Sequence, residues 1–259
     1  MIPQAAITEW GRSVQWPTVE QIEQDLLLSR LIVEIANDEY LGEELVFRGG
    51  TCLHKLHMAE PLRYSEDLDY VRTTAAGIAE VTRAVTDIGK RLAMQVRTRI
   101  TEHPKMYLRS TFETGTGMMR LKVEVNTFER SPGNPPVRIP YQVESSWFTG
   151  SAEVLTFALD EVVATKIRAL FQRTKGRDLF DLWLAQVKLG VPAHSIVESF
   201  APYRPDGYTR RRAEENLREK VNRPAFRDDI RPLVTTWPDG YDIDAAAELV
   251  ITEILALID

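Results

Sequence analysis

Apolar positions recur along this chain at two periods, and the organisation follows the change between them. Thr18 opens a capping box with Gln21. Ile22, Leu26, Leu27, Ile32 and Ile35 follow at helical spacing and predict a helix running to Asn37. Residues 45–47 read as a short buried strand entering Gly49-Gly50, and residues 51–57 as a short helix behind the glycines. Strands are predicted over 67–72, 94–101, 106–111 and 120–128, with a helix over 75–92. In the last strand Leu121, Val123 and Val125 alternate with Lys122, Glu124 and Asn126, so one face is apolar and the other polar. Residues 131–136 form a loop rich in proline. From about Val154 only the helical period persists, over 160–174, 177–189, 193–200, 209–221 and 245–257. Mixed elements followed by helices alone predict an α+β chain. Its N-terminal domain, 1–150, carries a mixed sheet flanked by helices, and its C-terminal domain, 151–259, is helical.

Composition narrows the class. Among 259 residues, 44% are hydrophobic and 27% charged, as in an ordinary globular protein. No apolar run approaches the ~20 residues that span a bilayer, and the N-terminus lacks a signal-peptide pattern. Cys52 is the single cysteine, which excludes an internal disulfide and a multi-cysteine metal site. The expected compartment is the cytoplasm. The net charge of −6 argues against a uniformly basic nucleic-acid coat but leaves room for a local basic groove.

Candidate chemistry is concentrated between Phe47 and Tyr70. Glycines ahead of a helix free backbone N–H groups for phosphate; the alternative for Gly49-Gly50 is a tight turn. Asp67 and Asp69 share one face of their predicted strand and repel unless a cation lies between them. The alternative is a solvated strand face or N-cap chemistry. Glu124, central in its own strand and pointing away from Val123 and Val125, adds a third carboxylate. Three carboxylates on neighbouring strands suit Mg²⁺ or Mn²⁺. Together these features describe a site for a nucleoside triphosphate and a divalent metal.

The order Gly-Gly-Thr (Gly49, Gly50, Thr51), then Arg-x-Ser-x-Asp-x-Asp (Arg63, Ser65, Asp67, Asp69), then a strand with a central acid resembles the polymerase-β-type nucleotidyltransferase superfamily. The longer match is to its AbiEii/MenT toxin branch. It continues through Glu161, Ala164 and Lys166, and through Arg173, Arg177, Asp178, Asp181 and Leu182, so the motifs cover about half the chain. Two departures stand out: Thr51 where the superfamily usually has Ser, and Glu124 where the third acid is usually Asp. The resemblance implies an enzyme that transfers a nucleotide from an NTP to an acceptor hydroxyl, releasing pyrophosphate. It also implies a type IV toxin with a cognate AbiEi-like antitoxin. Some members modify the 3′ end of tRNA and block aminoacylation.

In that setting Asp67, Asp69 and Glu124 are the expected metal ligands. Gly49, Gly50, Thr51 and Ser65 are the expected nucleotide cradle. Arg63 reads equally as a phosphate contact or a structural salt bridge. Lys166 shares a helix face with Val162, Ala169 and Arg173 and is assigned to the triphosphate; its alternative is a snorkelling lysine. Asp178 is expected to orient Lys166 or the acceptor hydroxyl, with Asp181 as support; helix-dipole complementarity is the plainer explanation. Arg210, Arg211, Arg212 and Arg218 form the best basic patch for RNA, or else a solvated face laced with Glu214, Glu215 and Glu219. Two rival functions remain: a nucleotidyltransferase acting on a small molecule such as an aminoglycoside, and a non-catalytic nucleotide-binding module.

Overall fold

A computed structural model of the chain describes residues 2–58, 60–113, 115, 117–129 and 132–259. Ser131, in the predicted loop, lies outside them. Among the described residues one sheet is built from β1 (Leu45–Arg48), β2 (Asp67–Arg72), β3 (Gln95–Arg99), β4 (Lys105–Thr111), β5 (Met118–Asn126), β6 (Val137–Glu144) and β7 (Thr149–Thr156). Its order is β3-β4-β5-β2-β1-β7-β6. β2 runs parallel to β5, and β1 parallel to β7; the other pairs are antiparallel. The mixed sheet predicted from sequence is therefore present, and the fold is α+β.

Alternation in β5 explains how the sheet is covered. Met119, Leu121, Val123 and Val125 are all buried, while Arg120, Lys122 and Glu124 alternate with them. Two helices, α1 (Gln4–Val14) and α2 (Val19–Ala36), precede the sheet, and α2 packs across β5, β6 and β7. It starts at the capping box read from sequence: Gln21 N–H donates to Thr18 Oγ1, and Thr18 N–H to Gln21 Oε1, each at 3.2 Å. A short turn of helix, α3 (Leu41–Glu44), leads into β1, and α4 (Gly49–Leu56) leaves it. The glycines thus form the first turn of α4 instead of preceding it. α5 (Ala79–Arg91) packs on β3 and β4.

The strands β6 and β7 have no counterpart in the sequence reading. β6 is an edge strand, contains Pro140, and buries little besides Val143. Proline is tolerated at an edge because it has no N–H to donate to a ladder, and the weak apolar signal hides the strand. Two compact units result, Met1–Pro132 with Pro136–Phe157, and Gly133–Pro135 with Ala158–Asp259. β7 passes residue 150, so the division falls after Phe157.

The second unit contains α6 (Leu159–Gln172), α7 (Gly176–Val187), α8 (Ala193–Phe200), α9 (Arg210–Val221), α10 (Pro224–Arg227) and α11 (Ile243–Leu249). A π-helical turn over Val250–Ile254 continues α11. Residues 178–185 of α7 are all buried, which makes it the central helix of this unit. Its aspartates therefore need internal partners.

Candidate active site

The parallel pairing of β2 with β5 sets Asp67 beside Lys122 and Asp69 beside Glu124. Neighbouring residues in register share a face, so the three acids predicted from sequence lie together on the side of the sheet away from Val123 and Val125. β4 adds Lys105 opposite Glu124 and Tyr107 opposite Lys122. The resulting face carries acids and bases interleaved.

Lys122, which sequence reading left out of the site, is its internal cation. Lys122 Nζ lies 3.1 Å from Asp67 Oδ2 and 2.9 Å from Glu124 Oε2. Lys105 Nζ lies 3.5 Å from Glu124 Oε1. Burial alone would raise the Glu124 pKa, but the Lys122 hydrogen bond and the two ammonium charges hold it below the usual value. Lys122 likewise stays protonated: burial opposes its charge, and the surrounding carboxylates more than reverse that. The signal in sequence was only the Lys122-x-Glu124 alternation.

Asp69 differs from its neighbours. Burial raises its pKa first; Lys122 and Arg48 lower it, and Asp67 and Glu124 raise it further. Among the described residues it forms no ion pair. A desolvated carboxylate beside Asp67 fits a hard cation. Among the described residues no group of three His, Cys, Asp or Glu side chains is arranged to hold an ion. Of the three expected ligands, Glu124 is ion-paired with both Lys122 and Lys105. Asp67 and Asp69 alone suit Mg²⁺, which commonly takes one or two protein carboxylates and completes its shell with phosphate oxygens and water.

The glycine turn abuts this acid pair. Gly49 has φ +86°, and a Cβ there would lie 2.8 Å from Asp69 Oδ2. A Cβ on Gly50 would meet Arg63 Nη2 at 2.6 Å and Ser65 Oγ at 3.2 Å. Gly49 combines a positive φ with this contact and so excludes a side chain, while at Gly50 the backbone closely approaches a buried guanidinium. Arg63 Nη1 donates to the Tyr64 carbonyl at 3.0 Å. Thr51, buried, donates to the Asp67 carbonyl at 2.5 Å and contacts Ser65 Oγ at 2.9 Å. Its hydroxyl thus joins α4 to β2 and is not directed outward. The first N–H groups of α4 have no intrahelical acceptors, the condition under which a helix start can receive an anion.

The family profile described as "Nucleotidyl transferase AbiEii toxin, Type IV TA system" matches residues 30–249. The chain belongs to the AbiEii nucleotidyltransferase family. It is an enzyme of that class, and type IV toxin–antitoxin membership implies an NTP substrate and an antitoxin partner. Solved structures share the fold. MenT4, a nucleotidyltransferase toxin from Mycobacterium tuberculosis, is 18% identical, with TM-score 0.65 over 98% of this chain and 90% of its own. JHP933 from Helicobacter pylori is 16% identical, with TM-score 0.55 over 93% and 92%. No curated protein gives a significant match. No helix among the described residues is long and apolar enough to cross a membrane.

The remaining motif residues of this AbiEii-family enzyme lie in the helical unit. Lys166 is buried, and its Nζ lies 2.8 Å from Asp181 Oδ2. Asp178 accepts two hydrogen bonds from Arg173, Nε to Oδ2 and Nη2 to Oδ1, both at 2.6 Å. Of the two aspartates, Asp181 and not Asp178 pairs with Lys166, while Asp178 holds Arg173. Glu161 has a structural part, accepting from Gly133 N–H at 2.6 Å and from the Tyr203 hydroxyl at 2.5 Å. On α9, Arg210 and Arg218 both bond Glu214, and Arg211 bonds Glu215. Arg212 donates to the Gly207 carbonyl. Exposed i, i+4 pairs of this kind contribute little to stability, and they neutralise much of the patch read as basic.

Proposed function

We propose that this enzyme is a metal-dependent toxin that transfers a nucleotide from an NTP to the 3′ end of tRNA and so blocks translation in the cytoplasm. The observation that carries the reading is the meeting of the α4 glycine turn with Asp69, at a distance that leaves no room for a side chain on Gly49. Such a turn can hold phosphate oxygens beside a carboxylate pair, which is the arrangement nucleotidyl transfer requires. The tRNA acceptor rests on the resemblance to the AbiEii/MenT branch.

Asp67 and Asp69 would hold Mg²⁺ or Mn²⁺, which when bound neutralises triphosphate charge. Backbone N–H groups of Gly50 and Thr51, with buried Arg63 behind them, bind the phosphates. Lys122 fixes Asp67 and Glu124 in place. The acceptor hydroxyl oxygen bonds to the α-phosphorus as the bond to the β-phosphate bridging oxygen breaks. Pyrophosphate leaves with that electron pair, and the hydroxyl proton passes to water. Catalysis of this type is mostly positioning and charge stabilisation. Lys166, held by Asp181, is assigned as a counter-charge for nucleotide phosphate. An AbiEi-like antitoxin is the proposed partner.

The test is incubation of the protein with each α-labelled NTP, total tRNA and a panel of aminoglycosides, with Mg²⁺ or with EDTA. Label on tRNA that requires Mg²⁺ and is lost in Asp69→Ala is expected. Label on an aminoglycoside alone would replace this reading with a small-molecule transferase. NTP binding without turnover on any acceptor would replace it with a binding module.

A further inference from the structure

Beyond Asp67 the polar face of the sheet continues into a cleft of about 450 Å³ that no motif pointed to. Gln24, Glu66, Asp67, Arg109, Arg120 and Lys122 line it. Arg109 and Arg120 are direct cross-strand partners in the β4–β5 ladder, so two guanidinium groups occupy adjacent places on one face. Like charges placed this way destabilise a sheet. Among the described residues neither arginine has a carboxylate partner. Arg120 lies over the Tyr107 ring, 5.2 Å from its centroid, which gives its guanidinium a fixed seat. Gln24 Nε2 donates to the Arg120 carbonyl at 3.3 Å and holds the strand beneath. Glu66 and Asp67 also line the cleft, but Asp67 is already paired with Lys122. Among the lining residues three cations therefore face two carboxylates, an excess of one positive charge, and the two cations that pair no carboxylate are the neighbouring arginines, where an external anion would be received.

Position then indicates which anion. The sheet order β4-β5-β2-β1 places the glycine turn, which follows β1, on one side of the β2 carboxylates and the arginine pair on the other. With strands ~4.8 Å apart, the pair lies ~10–15 Å from the turn. In an in-line phosphoryl transfer the attacking and leaving oxygens occupy opposite sides of the phosphorus. If the glycine turn holds the departing pyrophosphate, the acceptor enters from the β4–β5 side.

We propose that the Arg109–Arg120 pair binds the phosphodiester backbone of the RNA acceptor next to its terminal nucleotide. This rests on the function proposed above and adds a residue-level acceptor site to it. The cleft has the volume of a small-ligand site, and its free guanidinium groups disfavour a cationic acceptor such as an aminoglycoside. Bidentate guanidinium–phosphate pairing explains arginine at both positions.

The experiment compares the wild-type chain with Arg109→Gln/Arg120→Gln, with Arg109→Lys/Arg120→Lys, and with Arg83→Gln. Arg83 is an exposed residue of α5 whose side chain is 73% accessible, and serves as a surface-charge control. Binding of a labelled single-stranded RNA with a free 3′-hydroxyl is followed by anisotropy across a salt series. NTP binding is followed by calorimetry, and folding by circular dichroism. The double Gln variant should lose tenfold or more in RNA affinity, with the log–log salt slope reduced by ~1.4, or ~0.7 per phosphate contact on a single strand. NTP affinity should stay within twofold, and the Lys variant should recover part of the RNA affinity. RNA binding by the Gln variant equal to wild type would overturn the arginine site while leaving the proposed function standing. Loss of NTP affinity with unchanged RNA affinity would make the cleft a nucleotide site and overturn it too. A wild type that neither binds nor labels RNA would remove both the function and this site.

Discussion

Lys166 Nζ lies 2.8 Å from Asp181 Oδ2, and the two side chains are only 5% and 0% exposed. A buried pair of this kind is a poor source of stability when intact, but breaking it is severe because one charge is left unpaired. Asp181→Asn should therefore destabilise the protein by about 3–5 kcal/mol, read from the urea midpoint. Lys166→Met/Asp181→Asn should recover most of that loss. If the double variant folds like wild type yet transfers no nucleotide, Lys166 has a role beyond the fold. If it also transfers normally, the assignment of Lys166 to phosphate is wrong.

Asp69→Asn should abolish transfer while making the free protein more stable. The carboxyl has a raised pKa, chiefly from burial, so its charged form is disfavoured in the folded state. For an acid raised on folding, the penalty is complete above the folded value and absent below the unfolded one. The gain in Tm of Asp69→Asn over wild type should therefore be present at pH 7 and shrink as pH falls toward the ordinary aspartate range. In the presence of NTP, Mg²⁺ should raise the wild-type Tm and leave the variant unchanged. A variant no more stable than wild type at neutral pH would contradict the burial argument.

Lys122→Met tests the internal cation. Glu124 has a depressed pKa because Lys122 and Lys105 outweigh the effect of burial. The stability this contributes is present above the unfolded glutamate value and disappears as pH falls through the folded one. The variant should lose about 1.5–3 kcal/mol at pH 7, the usual range for a hydrogen bond to a charged group. Its deficit should narrow in acid. Denaturation midpoints at pH 7 and pH 4 suffice; a deficit independent of pH would mean that Lys122 acts by packing alone.

Gly49→Ala should be far more damaging than Gly77→Ala. At Gly49 the backbone has φ +86°, and the new methyl would lie 2.8 Å from Asp69 Oδ2, whereas nothing lies within 4 Å of a Cβ at Gly77. Backbone strain at a positive φ costs of order 1–3 kcal/mol, and displacement of the Asp69 carboxylate should cut transfer by orders of magnitude. Comparable activity in the two variants would exclude a close approach of glycine and carboxylate.

Local chemistry was enough to read much of this protein from sequence. The Thr18–Gln21 capping box, the span of β2 and the apolar alternation of β5 depend on neighbours within a few residues. Sequence could accordingly place Asp67 and Asp69 on one strand face. The strand β6 escaped because an edge strand with a proline and one buried side chain carries a weak period. The partners of charges escaped for a different reason. Lys122 reaches Asp67 because β5 runs parallel to β2, and Arg109 meets Arg120 through the β4–β5 register. In α7, Asp178 and Asp181 sit one helical turn apart and are locally equivalent. Only the packing of that helix inside its unit gives Arg173 to the first and Lys166 to the second. Residue type and spacing state which charges exist, whereas pairing across distant segments is settled by where the fold buries them.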